Sequence, residues 1–324
     1  MEKIVQCELC PNGCILGPGQ RSRCRTRTNS DGKLYSLVYG RPCAVHVDPI
    51  EKKPFFHFLP GTTAFSIATA GCVLACKFCQ NWQISQSKPE DTDTYDLPPA
   101  KVISNALAYR CASIAYTYTE PTVFYEYMYD TALAARKERV KNTMHSCGYI
   151  NERPLRTLSK YLDAANIDLK AFTEDFYSNV CGGRLKPVLD SLVILKEEGI
   201  WLEITNLVIP TLNDDAKKIR EMCRWIVDKL GRDVPLHFSR FFPHYRLTNL
   251  PPTPIETLES ARKTALDAGV RFAYIGNIRH EAENTYCPNC KKVLIERTGY
   301  VVKGNHVVNG KCRYCNTAIP GVWN

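Results

Sequence analysis

The 324-residue chain is predicted to be an α/β protein built on a partial (β/α)6-type TIM barrel. Three observations predict this. From about residue 61 to 280, short β-branched or apolar runs alternate with longer helical patterns, as parallel strands joined by crossover helices do. Seven such runs can be counted, with six helical stretches between them, enough to curl a sheet into a barrel or nearly close one. The intervening stretches also carry helix-end signals.

The strand candidates are AFSIAT (64–69), SIAYTYT (113–119), NTMHSC (142–147), AANIDLK (164–170), WLEITNLVI (201–209), PLHFSRF (235–241) and FAYIGN (272–277). The clearest helix follows Asn213, read as its cap with Asp214 and Asp215 at the positive end of the dipole. It places Ile219, Met222, Cys223, Ile226, Val227 and Leu230 on one face and stops at Gly231. Thr253-Pro254-Ile255-Glu256 reads as a capping box opening a second helix that ends at Gly269, and a third runs from Pro187 to Glu198. The proline-containing stretch EKKPFFHFLPG (51–61) reads as a joint. The expected domains are therefore 1–60, a cysteine-rich metal module and linker; 61–280, the barrel; and 281–324, a small ribbon.

Composition narrows the class. Lys and Arg number 42 against 33 Asp and Glu, a net charge of +9 that suits an acidic or phosphate-bearing ligand. Sixteen cysteines in a chain of this length, with no signal-peptide pattern at MEKIVQCELC, point to metal thiolates in a reducing cytoplasm rather than to disulfides. No apolar run approaches the roughly 20 residues of a membrane span, so a soluble protein is expected.

The cysteines fall into three sets. Cys72, Cys76 and Cys79, spaced C-x3-C-x2-C in GCVLACKFCQNW, follow the first barrel strand directly. Three thiolates can hold an iron-sulfur cube while leaving one iron without a protein ligand. Cys287, Cys290, Cys312 and Cys315 form C-x2-C-x21-C-x2-C, with KVLIERTGYVV and HVVNGK reading as strands around glycine turns. This is a zinc-ribbon pattern, whose four thiolates close the coordination shell. Lys291, Lys292, Arg297, Lys303, Lys311 and Arg313 make the ribbon basic. Cys7, Cys10, Cys14 and Cys24 are a further four-thiolate set, suited to zinc or to a second iron-sulfur cluster.

The triad after the first strand, with Phe78 before its third cysteine, resembles the radical SAM superfamily. Together with DPIEKKPFFHFLPG, TYTEPT, IDLKAF, PLHFSRFFPHY, YIGN and the closing CPNC…CRYC…IPGVW, it is similar to the radical SAM member of the AmmeMemoRadiSam system, a relative of the pyruvate formate-lyase activating enzymes. The resemblance implies a [4Fe-4S] cluster at the triad that cleaves S-adenosylmethionine (SAM) reductively to a 5′-deoxyadenosyl radical. Phe78 then lies beside the adenine. Glu120, in Tyr118-Thr119-Glu120-Pro121, replaces the usual Gly-Gly-Glu and would hold the methionine amine, or else simply cap the helix that starts at Pro121. Asp168 and Lys170 match an Asp-x-Lys that contacts the methionine moiety; period-two geometry puts both on one strand face. His237 matches a ribose-contacting histidine, Glu203 and Asn206 are weaker candidates, and Cys147 is a candidate for radical transfer. An electron donor such as flavodoxin or ferredoxin is implied, with Memo-type and AMMECR-type proteins as further partners. Three readings of function follow: an activase-like enzyme acting on a protein, an enzyme modifying a nucleobase, and a non-catalytic zinc-ribbon binding module.

Overall fold

In the computed structural model, which describes residues 3–324, all seven predicted strands form. They are β2 (Thr63–Ala68), β3 (Ser113–Tyr116), β4 (Lys141–Ser146), β5 (Ala164–Asp168), β6 (Trp201–Val208), β7 (Leu236–Arg240) and β8 (Ala273–Gly276). An eighth strand, β1 (Ala44–Pro49), pairs antiparallel with β2, and β2 to β8 follow in chain order, all parallel. The two edge strands, β1 and β8, do not pair with each other, so the barrel is open on one side.

Alternation explains how the sheet is covered. Ile67, Ile114, Met144, Ile167, Ile204 and Phe238 point to one face and join a single apolar core with the helices. Those helices are α1 (Pro99–Ala108), α2 (Tyr125–Lys137), α3 (Glu152–Ser159), α4 (Leu185–Glu197), α5 (Ala216–Leu230) and α6 (Ile255–Asp267). On α5 the predicted stripe is buried at Ile219, Met222, Cys223, Ile226 and Leu230. The opposite strand face is polar and buried, with Ser66, Thr143, Asn166, Glu203 and His237, so the barrel interior is a hydrogen-bonded space.

Three readings of the sequence are corrected. The stretch 51–61 is not a linker: Phe55, Phe58 and Leu59 form a buried cluster with Ile50, Ala64, Ala115 and Ala164 that plugs the barrel interior. Its phenylalanines are worth too much buried to be left in a hinge. Asn213 does not cap α5. Asp215 does, accepting from Lys218 N at 2.8 Å, while Asn213 stitches the loop by donating to the carbonyls of Lys170 and Leu207. Thr253 does not cap α6 either. Its hydroxyl donates to Val208 O at 2.6 Å and accepts from Phe241 N at 2.9 Å, pinning the α6 entry to β6 and β7.

The ribbon forms as expected, with β9 (Thr285–Tyr286), β10 (Val293–Thr298) and β11 (Val301–Asn305) antiparallel and a hairpin of Val307–Val308 with Lys311–Cys312. It shares an apolar cluster with the barrel: Cys287, Leu294, Ile295, Cys312 and Ile319 meet Phe56, Phe272 and Tyr274. Arg297 is not part of a basic surface. It is buried, its guanidinium 4.1 Å from the Phe56 ring centre and donating to Phe56 O at 2.8 Å. At the other end, two short hairpins, Val5–Gln6 with Ile15–Leu16 and Arg27–Ser30 with Lys33–Ser36, carry the N-terminal cysteines.

Candidate metal and cofactor site

The loop after β2 is held from several sides. Gly71 enters it at φ +92°, a conformation that favours glycine, and donates to Ile84 O at 2.9 Å. Ala75 N and Lys77 N donate to the carbonyls of Cys181 and Val180 at 2.8 and 2.9 Å, so the segment after β5 backs the loop. Asn81 Nδ2 donates to Tyr118 O at 2.7 Å, tying the loop's far end to the segment after β3. The three cysteines thus sit on a fixed frame at the carboxyl end of the first parallel strand, where the chemistry of such barrels collects.

Each triad sulfur has a polar neighbour. Leu74 N lies 3.4 Å from Cys72 Sγ, Ser85 Oγ lies 3.2 Å from Cys79 Sγ, and the Cys181 thiol stands beside Cys76. Cys181, with Lys170 nearby, holds the Cys76 thiol below its ordinary value despite burial. Cys72 and Cys79 stand raised by burial. A thiol ready to ionise beside two others on one loop fits metal binding, and the C-x3-C-x2-C donor set fits a cube held at three corners.

Around the triad the structure gathers four predicted residues. Asp168, the last residue of β5, accepts from Lys170 Nζ at 2.8 Å and meets His145 Nε2 at 2.9 Å. Burial alone would raise its carboxyl, but Lys170 and His145 outweigh that and hold it well below the usual carboxylate range. Burial would likewise lower Lys170, yet Asp168 and the surrounding cysteines keep its ammonium well above the ordinary value. Lys170 Nζ is 5.7 Å from the centre of the Phe78 ring, so Phe78, Asp168, Lys170 and Cys76 form one cluster. Cys147 is also here: it is buried, and its thiol, raised by burial and by Glu120, keeps its proton.

Glu120 reaches the cluster but is already engaged. Its Oε1 accepts from Thr122 N, Thr122 Oγ1 and Ser146 Oγ at 3.1, 2.7 and 2.7 Å, and its Oε2 from Cys147 N at 2.8 Å. It caps the turn Pro121–Phe124, as the plainer reading of the sequence expects, and bolts the ends of β3 and β4 together. Only Oε2 has an acceptor position left.

His237 is not brought to the triad. It is the second residue of β7, buried, bonded to Glu203 at 2.7 Å and set edge-on against Phe56 of the plug. Glu203 also accepts from Phe56 N and His57 N, at 3.0 and 2.8 Å, so both belong to the plug's anchorage. Asn206 faces the helical layer, donating to Leu169 O at 2.7 Å beside Met222 of α5. Sequence reasoning missed His145 and Cys181. Strand parity could have found the first, since 145 shares a face with 143 and pairs across to Asn166 beside Asp168. Nothing local marks Cys181, which reaches Cys76 only through the fold.

The C-terminal set is a second metal-capable group. The Sγ atoms of Cys287 and Cys315 lie 3.5 Å apart and those of Cys290 and Cys312 3.7 Å, all four within 4.8 Å of one another. Tetrahedral bonds of about 2.3 Å put thiolates roughly this far apart around one ion. Among the described residues no helix is long and apolar enough to cross a membrane.

Comparison with known proteins agrees with this geometry. The family model described as the radical SAM superfamily matches residues 66–225, from β2 through most of α5. The uncharacterized protein MJ0808 of Methanocaldococcus jannaschii is 46% identical over 318 residues, 97% of this chain and 95% of its own. The pyruvate formate-lyase-activating enzyme of Clostridium pasteurianum is 20% identical over 165 residues, 48% of this chain and 66% of that enzyme. Among solved structures, a radical SAM methyltransferase from Sphaerobacter thermophilus shares the fold, with a TM-score of 0.52 and 14% identity over 85% of this chain and 77% of its own. The cysteine loop and the sheet that carries it agree with this match: residues 66–225 form a radical SAM domain.

Proposed function

We propose that the chain holds a [4Fe-4S] cluster on Cys72, Cys76 and Cys79, binds SAM beside it and directs the resulting 5′-deoxyadenosyl radical at a protein or peptide. One observation carries this reading: the triad loop shares a pocket of charge with Lys170, Asp168 and Phe78. When bound, the cluster supplies the single electron that breaks the sulfonium carbon-sulfur bond of SAM.

The chain's own residues have separate tasks. Lys170, kept charged, donates to the SAM carboxylate, and Asp168 accepts from the amine, each a charge-assisted contact. Phe78 packs on the adenine. Glu120 keeps β3 and β4 in register and offers its free Oε2 position to the amine. Cys147, with its hydrogen retained, stands ready as a hydrogen-atom relay. β1 and β8 do not pair, and the substrate is assigned to the carboxyl ends of the strands beside the triad. The likeness to an activating enzyme supports a protein target. A low-potential donor of the ferredoxin or flavodoxin class, with zinc in the ribbon and Memo-type or AMMECR-type partners in a cytoplasmic setting, completes the proposal.

A second reading, action on a nucleobase, draws on the ribbon. Tyr314 is exposed, with Lys292 4.8 Å and Arg313 5.9 Å from its ring centre, a basic and aromatic patch of the kind that holds nucleic acid. RNA affinity that falls steeply with salt supports it; indifference to salt removes it.

Anaerobic protein, reconstituted with iron and sulfide and reduced with dithionite, is expected to convert SAM to 5′-deoxyadenosine and methionine. Cys76→Ala abolishes this. A wild-type protein that carries the cluster and never yields 5′-deoxyadenosine overturns the proposal.

A further inference from the structure

The N-terminal cysteines differ from the ribbon cysteines in one physical respect. Cys7, Cys10, Cys14 and Cys24 wall a single cavity with Arg27 and Val73. Yet among the described residues only the ribbon set brings its sulfurs within 4.8 Å of one another. The same chain thus contains one four-thiolate site drawn to the size of a single ion and another spread wider than a tetrahedral ion with bonds of about 2.3 Å requires. A four-iron cube, held at its corners, spreads its ligands in this way.

Polar groups stand at two of the sulfurs of the wider site. Arg23 N lies 3.5 Å from Cys14 Sγ, and the hydroxyls of Ser22 and Thr26 lie 3.0 and 3.2 Å from Cys24 Sγ. Arg27, buried and paired with Glu126 at 2.6 Å, brings a cation to Cys7 and Cys24. Hydrogen bonds and charge at the sulfurs are what set the potential of an iron-sulfur cluster.

Its position also points to a use. Asn12 Nδ2 donates to Val73 O at 2.8 Å, and Val73 follows Cys72 of the triad. The Cys24 carbonyl packs on Gly71, the residue before Cys72, so closely that a β-carbon at 71 would lie 2.5 Å from it. Cys14 is partly exposed. One cysteine of the site thus meets solvent while another touches the triad loop.

We propose that Cys7, Cys10, Cys14 and Cys24 hold a second [4Fe-4S] cluster that relays electrons to the triad. A reduced one-electron donor of the ferredoxin class gives one electron at the Cys14 side and is oxidised, and the N-terminal cluster is reduced from its 2+ to its 1+ core. The electron then passes by Cys24 and Gly71 to the triad cluster, which is reduced in turn as the N-terminal one returns to 2+. No bond breaks in either transfer. The destination of the electron rests on the reading of the triad given above; the identity of the N-terminal group does not.

The test separates the two. The full chain with Cys72→Ser, Cys76→Ser and Cys79→Ser together is reconstituted anaerobically. It is expected to retain about four irons and four sulfides and to give a reduced-cluster EPR signal with dithionite. The same variant binding zinc and no iron overturns the proposal, whatever the triad does in wild type. Cys10→Ser/Cys24→Ser and, as a milder change, Cys14→Ser are compared by the ratio of ferredoxin-driven to dithionite-driven SAM cleavage. That ratio is expected to fall about tenfold in at least one of them. An unchanged ratio in both, with N-terminal iron missing, overturns the relay.

Discussion

His57 Nδ1 lies 2.7 Å from the carbonyl of Pro320, joining the plug of the barrel to the last turn of the ribbon. The other ring nitrogen meets Tyr274 Oη at 2.6 Å, and the ring is fully buried. The ribbon is therefore fastened to the barrel by a histidine that must stay neutral.

This makes the fold acid-sensitive. Burial lowers His57 to about 4 from its ordinary value, so between that pH and about 6.5 the unfolded chain binds a proton that the folded chain refuses. The stabilisation is complete above about pH 6.5 and is lost as pH falls toward 4, amounting to about 2 kcal/mol at pH 5. Glu203, lowered by His237 in spite of burial, adds a loss of the same sign at lower pH. Urea midpoints at pH 7 and 5 should differ in wild type and converge in His57→Gln. A wild type equally stable at both values rejects the assignment.

Cys181 stands beside Cys76 outside the C-x3-C-x2-C motif. A thiol proton shared with a cluster sulfur raises the reduction potential, so its removal should lower it. Cys181→Ala should keep its full iron content, show a more negative midpoint in a redox titration and cleave SAM severalfold more slowly. Loss of iron in this variant would mean that Cys181 is itself a ligand.

Lys170→Met removes a charge-assisted donor, a contact of about 1.5–3 kcal/mol, which corresponds to roughly a ten- to hundredfold weakening of SAM binding. Asp168 is left beside His145 alone. Equilibrium binding to the unreduced protein measures this apart from turnover. Wild-type affinity in the variant sets aside the role given to Lys170.

Removing metal from the ribbon should loosen more than the ribbon. Structural zinc in such sites contributes apparent binding energy on the order of 10 kcal/mol, and here Cys287 and Cys312 of the metal-capable group share a cluster with Phe56 and Tyr274. A strong chelator, or Cys312→Ser, should speed amide exchange at 56–58 as well as at 285–319. Exchange confined to the ribbon would show that the plug holds without it.

Gly71→Ala drives a β-carbon to within 2.4 Å of Thr26 Cγ2 and 2.5 Å of Cys24 O, at a φ that favours glycine. The expected cost is about 2–4 kcal/mol, because backbone on both sides must shift. Thermal unfolding should drop accordingly, and iron incorporation at the triad should fall with it. Wild-type stability in this variant would show that the N-terminal segment does not bear on the loop.

Much of this molecule was legible in one dimension. All seven parallel strands were visible because each is a short apolar run bounded by turns, and the ribbon because four cysteines at paired spacing demand hairpins around them. The triad loop was legible because its three cysteines lie within eight residues of chain directly after a strand. The stretch 51–61 was misread because its prolines and charges resemble a joint. What buries Phe55 and Phe58 is the barrel interior, built from strands far along the chain.

Local signals along the chain determined which elements form and where the three-cysteine loop lies, because periodicity, glycine turns and cysteine spacing act over a few residues. Only the tertiary structure decided that His237 belongs to the plug, that Arg297 is buried beneath the ribbon, that Cys181 reaches Cys76 and that the N-terminal cysteines touch the triad loop. Those contacts join residues from distant parts of the chain. Desolvation and hydrogen-bond partners come into being only when the sheet closes around them.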